Sequence, residues 1–152
     1  MITSMIDSYG RKIDYLRVSL TKRCNLNCSY CGAECEKDTE LTAEELEKLV
    51  RAFVRLGITK VRLTGGEPLL RGDICEIAER LGRIEGLKKL AVTTNGVLLS
   101  RYAQRLKNAG VNAVNISLDT TESEIKSCND GRNYSPRKSS PCWWHKREDI
   151  SR

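Results

Sequence analysis

Four runs with a two-residue polarity period alternate with stretches of helical period, and that alternation limits the fold more than any other feature of the chain. The runs are DYLRVSLT (14–21), KVRLTGG (60–66), KLAVTTNG (89–96) and NAVNISLD (112–119). Between the first two, Leu46, Leu49, Val50, Phe53 and Val54 recur at i, i+3, i+4, i+7 and i+8, Thr42 with Glu45 predicts a capping box, and Gly57 predicts a stop. Ile74, Ile77, Ala78 and Leu81 predict a second helix; Leu99, Tyr102, Ala103 and Leu106 predict a third that ends at Gly110. Strand and helix in strict succession imply βαβ units and a parallel sheet, open or curled into a barrel.

The strands themselves narrow this further. A parallel strand buried on both faces is apolar throughout, whereas these alternate. Leu16, Val18 and Leu20 oppose Arg17, Ser19 and Thr21; Val61 and Leu63 oppose Arg62, Thr64 and Gly66. Leu90 and Val92 oppose Ala91, Thr93 and Asn95, and Val114, Ile116 and Leu118 oppose Asn115, Ser117 and Asp119. The apolar faces suit a layer of helices, which leaves the polar faces to line a shared concavity. A guanidinium is costly to enclose unless paired, so Arg17 and Arg62 call for a carboxylate or phosphate. Asp119 or Glu67 could satisfy them as structural ion pairs, and a bound anion would do so equally well.

Ligands of such sheets gather at the carboxyl ends of the strands, and the distinctive motifs lie there. GGEP (65–68) ends the second run, TTNG (93–96) the third and SLDT (117–120) the fourth. The GGEP glycines would let a ligand approach the backbone, with Glu67 beside them as an acceptor for an ammonium group. The first run leads into TKRCNLNCSYCGAEC (21–35), which holds four of the seven cysteines. A reducing compartment and an odd cysteine count favour metal ligation over disulfides. Three arrangements fit: a closed zinc site, a closed iron–sulfur cluster, or a cluster with three thiolates and one open iron. Cys35 could supply a fourth thiolate. Cys75, beside Ile74 and Ile77, reads as a small core residue.

CNLNCSYC, a C-x3-C-x2-C spacing with an aromatic residue before the last cysteine, resembles the signature of radical S-adenosylmethionine (SAM) enzymes. Together with DSYGRKIDYLRVSLTKR, ITKVRLTGGEPLLR, TTNGVLL and LKNAGVNAVNISLDT, it is similar to the N-terminal part of the GTP 3',8-cyclase family of molybdenum cofactor biosynthesis, over about residues 5–124. The resemblance implies a partial (β/α) radical SAM barrel of about four parallel units, in the α/β class. It implies that Cys24, Cys28 and Cys31 ligate a 4Fe–4S cluster whose fourth iron takes SAM. A one-electron reductant would then drive cleavage of SAM to methionine and a 5'-deoxyadenosyl radical, which abstracts hydrogen from the ribose of GTP. Carried over by position, Tyr30, Gly66 and Ser117 would contact SAM, and Arg17, Arg62 and Thr93 would contact GTP. Two rivals differ from this expectation: a cysteine-ligated zinc or iron–sulfur binding module with a basic nucleotide- or nucleic-acid-binding surface, and a radical SAM enzyme with another substrate.

Residues 125–152 carry both tryptophans, the lone histidine and two of the three prolines, with neither period. They are expected to form an irregular tail outside a core of residues 1–124, through disorder or a shifted reading frame. Enzymes of the resembled family continue with further strands and a second cysteine cluster, so complete turnover is not expected of this chain. Cys128, Cys142 and His145 make only a weak metal spacing. An unclosed barrel edge calls for a homodimer or a partner to cover it. The formal charge of +6 suits an anionic partner such as a nucleotide; nucleic acid is not expected. No apolar run is long enough for a signal peptide or membrane span, which points to the cytoplasm.

Overall fold

The structure, a computed structural model, describes residues 5–26, 28, 31 and 40–117, and the backbone of 118 and 144–149. A short antiparallel pair, β1 (Met5–Ile6) and β2 (Lys12–Ile13), precedes the main sheet. That sheet takes its strands in chain order: β3 (Tyr15–Ser19), β4 (Lys60–Thr64), β5 (Lys89–Thr94) and β6 (Ala113–Leu118), all parallel. The crossovers are α1 (Ala43–Arg55), α2 (Ile74–Gly82) and α3 (Leu99–Asn108), with a 3-10 turn at Pro68–Leu70. Sequential strand order with crossovers of one hand puts every helix on the same side of the sheet.

The apolar strand faces meet those helices in one core. Val18, Leu20, Val61, Leu63, Leu90, Val92 and Val114 cluster with Leu46 and Val50 of α1, Ile74, Ile77, Ala78 and Leu81 of α2, and Leu106 of α3. Burying one such aliphatic side chain is worth about 1.5–3 kcal/mol. Leu49 departs from the helical-face expectation: it is 42% exposed at the edge of the stripe, while Ala43 faces inward. Cys75 packs against this core as a half-buried residue.

Local signals set the helix limits. The α1 capping box forms as the sequence implies: the Glu45 amide donates to Thr42 Oγ1 at 3.2 Å and the Thr42 amide donates to Glu45 Oε2 at 2.8 Å. Both α1 and α3 end in the same paired bonds over a glycine of positive φ. Ile58 N–H donates to the Phe53 carbonyl past Gly57, and Val111 N–H donates to the Leu106 carbonyl past Gly110.

One strand was not legible in the polarity pattern. Within the segment expected to be irregular, β7 (Trp144–Asp149) pairs antiparallel with β6, from Ala113↔Asp149 to Leu118↔Trp144. Main-chain pairing needs a free edge rather than a hydrophobic period, and β6 offers that edge. Cys128 and Cys142 lie outside the described residues, as does the side chain of His145. No described helix is long and apolar enough to cross a membrane.

The packing and capping terms differ enough to be ranked. Thr42→Ala is expected to lower unfolding stability by about 1 kcal/mol and Ile77→Ala by about 2–5 kcal/mol. Urea midpoints at unchanged m-value measure both, and an inverted order would show that α2 is not anchored as described.

Candidate radical chemistry site at the strand ends

The carboxyl ends of β3, β4 and β5 are bound together by backbone and by one carboxylate. The β3–β4 ladder runs on past both strands: Leu20 N–H donates to Thr64 O, Gly66 N–H to Thr21 O and Glu67 N–H to Arg23 O, at 2.9, 2.7 and 2.8 Å. This brings residues 21–23, which lead into the first cysteine, against the GGEP turn. A Cβ on Gly65 would stand 2.4 Å from the Thr21 carbonyl oxygen, and one on Gly66 2.4 Å from that of Arg23. The paired glycines thus admit the chain's own backbone.

The expectation for Glu67 is corrected. Its side chain is fully buried, with Oε1 accepting from Leu69 N–H at 3.0 Å and Thr94 Oγ1 at 2.7 Å, and Oε2 from Asn95 N–H at 2.7 Å. All three partners are donors, the complement of a carboxylate, so it has neither surface for an incoming ammonium group nor a bond to Arg17 or Arg62. It ties the end of β4 to the end of β5. Asn95 extends the link, donating from Nδ2 to Asn25 Oδ1 at 2.8 Å, and Asn25 is itself buried beside Cys24. Sequence reasoning gave neither asparagine a role, because a single amide in a loop has no period to mark it.

Cys24 and Cys28 are half-buried, Cys31 is exposed, and none is in a disulfide. The Leu26 amide donates to Cys24 Sγ at 3.4 Å, and Cys31 N–H donates to the Cys28 carbonyl at 3.0 Å. Burial pushes the Cys24 thiol above its ordinary range; the Leu26 amide opposes this, and the charges of Glu67 and Cys31 add to it. Three thiols that follow one strand end, with an N–H···S bond to Cys24, suit a thiolate-ligated iron–sulfur cluster in their chemistry. Among the described residues no three His, Cys, Asp or Glu side chains form a group that could hold a single metal ion. Tyr30 and Cys35 lie outside the described residues.

Arg17 and Arg62 are Cα partners in the β3–β4 register and so share one face, as the polarity pattern implies. Among the described residues neither forms an ion pair; the structural pairing with Glu67 is absent because that carboxylate is enclosed elsewhere, and Asp119 lies outside the described residues. Arg62 lies over the Tyr15 ring, 5.5 Å from its centroid. With the Asn115 amide oriented oxygen toward it, Arg62 donates from Nη1 at 2.8 Å and Nη2 at 3.0 Å. Arg62 Nε and Thr93 Oγ1 are buried with no hydrogen-bond partner. Thr93 stands opposite Asn115, and Ser117 follows two residues along β6, half-buried. Gly66 is half-buried with its N–H already spent on Thr21.

A second polar cluster lies at the flank of the site, and sequence reasoning missed it. Arg71, only 4% exposed, forms a two-pronged pair with Asp73 (Nε–Oδ1 2.9 Å, Nη2–Oδ2 2.6 Å). Arg23 does the same with Glu40 at 3.0 and 3.1 Å. A groove of about 470 Å³ opens here, lined by Glu40, Thr42, Glu44, Arg71 and Arg80 among others, and its charged side chains are held in ion pairs.

The sequence pattern described as the Radical SAM superfamily matches residues 18–139. Over 121 residues, 76% of this chain, it is 53% identical to the GTP 3',8-cyclase of Alkaliphilus oremlandii, covering 38% of that protein. It is 52% identical over 121 residues to molybdenum cofactor biosynthesis protein 1 of Mus musculus, covering 19% of it. The chain thus spans less than two-fifths of the length of these curated relatives. Among solved structures, BtrN in complex with AdoMet and 2-DOIA matches 66% of the chain and 44% of its own, with a TM-score of 0.55 at 19% identity, a likeness of fold.

Two outcomes follow from the polar network. In Glu67→Gln an amide nitrogen must face one of three donors, so stability is expected to fall by about 1–3 kcal/mol, read from chemical unfolding. Hydrogen bonding to Arg71 holds the Asp73 carboxyl below its ordinary range. Partial burial would raise Glu40, but hydrogen bonds from Thr21 and Arg23, with the charges of Arg23 and Arg71, hold it below. Both folded-state values are depressed, so this stabilisation is complete above the ordinary carboxyl pKa of about 4 and is lost as pH falls through the folded values. Melting temperature should therefore drop below about pH 4, and Arg71→Met should blunt that drop.

Proposed function

The chain belongs to the radical SAM superfamily, and from that premise we propose that Cys24, Cys28 and Cys31 ligate its 4Fe–4S cluster while the polar face beside them takes GTP, as in a GTP 3',8-cyclase. When bound, the cluster with SAM supplies one-electron reductive cleavage of the sulfonium, the entry to radical chemistry. The observation that carries the GTP reading is the arginine pair. Two guanidiniums in register on one face repel each other without an intervening anion, and a triphosphate is an anion that such a pair holds well.

The chain's own residues divide the work. Arg17 and Arg62 bind and orient the phosphates, and the Tyr15 ring keeps the Arg62 guanidinium in plane. The Thr93 hydroxyl and Arg62 Nε have unspent hydrogen-bonding capacity on that face, which supports a ligand rich in acceptors. Tyr30, Gly66 and Ser117 position SAM. The core of residues 1–124 carries this site and is cytoplasmic in this reading. A one-electron donor, and a second copy or other partner along an uncovered strand edge, complete its partners.

After anaerobic reconstitution, Cys35→Ser is expected to retain iron–sulfur charge-transfer absorbance and Cys24→Ser to lose it; the reverse pattern would reassign the ligands. Arg62→Ala removes charge-assisted bonds worth about 1.5–3 kcal/mol and should weaken GTP binding roughly 10- to 100-fold by calorimetry. Unchanged affinity would remove the triphosphate from this face.

A further inference from the structure

Arg71 has an arrangement that core packing alone does not call for. Its guanidinium is enclosed, and its bonds go to both ends of the cysteine segment and to the residue that precedes α2. Nη1 donates to the Leu20 carbonyl at 3.1 Å, where the chain leaves β3 toward Cys24. Nη2 donates to the Leu41 carbonyl at 2.9 Å, where the chain returns to enter α1. Nε and Nη2 grip Asp73, which precedes α2 without making a side-chain cap. One planar fork therefore joins both roots of segment 24–39 to a third element. Arg23 and Glu40, the residues immediately bounding that segment, close it with their own two-pronged pair, and Glu40 lies 3.8 Å from Arg71. An apolar residue of similar size would leave the Leu20 carbonyl buried and unpaired, and a lysine ammonium lacks the flat fork that spans two carbonyls and a carboxylate.

We propose that Arg71 is a positioning residue for the cluster: it fixes the separation of the two roots between which Cys24, Cys28 and Cys31 lie. The proposal rests on the reading that these cysteines hold the cluster. It assigns Arg71 no contact with SAM or GTP.

The full chain without metal supplies its own internal reference. Cys24 lies at the root of the segment, whereas Cys75 sits on α2 against the core. In competitive N-ethylmaleimide labelling read by mass spectrometry, Arg71→Met is expected to raise the Cys24 rate about tenfold with Cys75 little changed, the mark of a local opening. Arg71→Lys should behave like Arg71→Met, because it keeps a charge beside Asp73 without spanning both carbonyls. Glu40→Gln should give a smaller rise. Should Arg71→Met not fold, the other two variants carry the comparison. Iron bound per chain after reconstitution should fall in the same order, at temperatures where circular dichroism shows each variant folded. Equal rises at Cys24 and Cys75 would overturn the proposal in favour of a general stabilising role, as would unchanged labelling or full iron uptake in folded Arg71→Lys. Failure of the unsubstituted chain to take up iron would instead overturn the cluster reading, and the labelling comparison would still decide what Arg71 does.

Discussion

A single enclosed carboxylate governs the geometry of the strand ends. Glu67 has no exposed surface, and each of its bonds reaches a different point: the 3-10 turn at Leu69, the last residue of β5 at Thr94, and the following loop at Asn95. Burying a carboxylate is strongly unfavourable unless donors replace the lost water, and here three do. The return is alignment. Two parallel strands would otherwise be free to splay where their ladder ends, and Asn95 passes the constraint on to Asn25, the neighbour of Cys24. The GGEP turn can approach residues 21–23 only because Gly65 and Gly66 lack a Cβ. Carboxylate and glycines therefore act as one device that holds residues 21–25, which lead into the cysteine segment, against the ends of β4 and β5.

The polar face follows the opposite logic. Around Glu67 donors and acceptors are matched, whereas along Arg17, Arg62 and Thr93 they are not: two cations stand in register, and two buried polar atoms lack partners. Buried polar groups are normally paired, and departures concentrate where a ligand completes the set. The contrast with Arg71 makes the point within one chain. Arg71 is more deeply enclosed than Arg62, yet it is held by a carboxylate and two carbonyls, so it reads as structure, and Arg62, with Nε unspent, reads as a place for something else.

The outer strand shows how little local sequence a sheet edge requires. β7 carries Trp144–Asp149, without alternation of polarity, yet it follows β6 along its whole length. An edge offers a row of unsatisfied N–H and C=O groups that any extended backbone can meet. Side-chain period is a signal of burial between layers, and main-chain pairing at an edge needs no such signal.

What the sequence by itself determined was everything that depends on period or local chemistry. The four parallel strands, the three helices, the Thr42–Glu45 box, the stops at Gly57 and Gly110, and the common face of Arg17 and Arg62 all rest on neighbours a few residues apart. The cysteine spacing and the superfamily were legible for the same reason, since Cys24, Cys28 and Cys31 fall within one short segment. Tertiary structure alone decided the rest. That Glu67 turns inward, that Asn25 meets Asn95 across seventy residues, that Arg71 joins the roots of the cysteine segment, and that β7 finds β6 are all contacts between distant positions. Glu67 and Arg71 illustrate the reason: each is a lone charged residue in a turn, which a local reading assigns to solvent or ligand. Only the closure of parallel strands around them, which removes water and supplies donors or acceptors from remote backbone, turns a surface charge into an internal fastening.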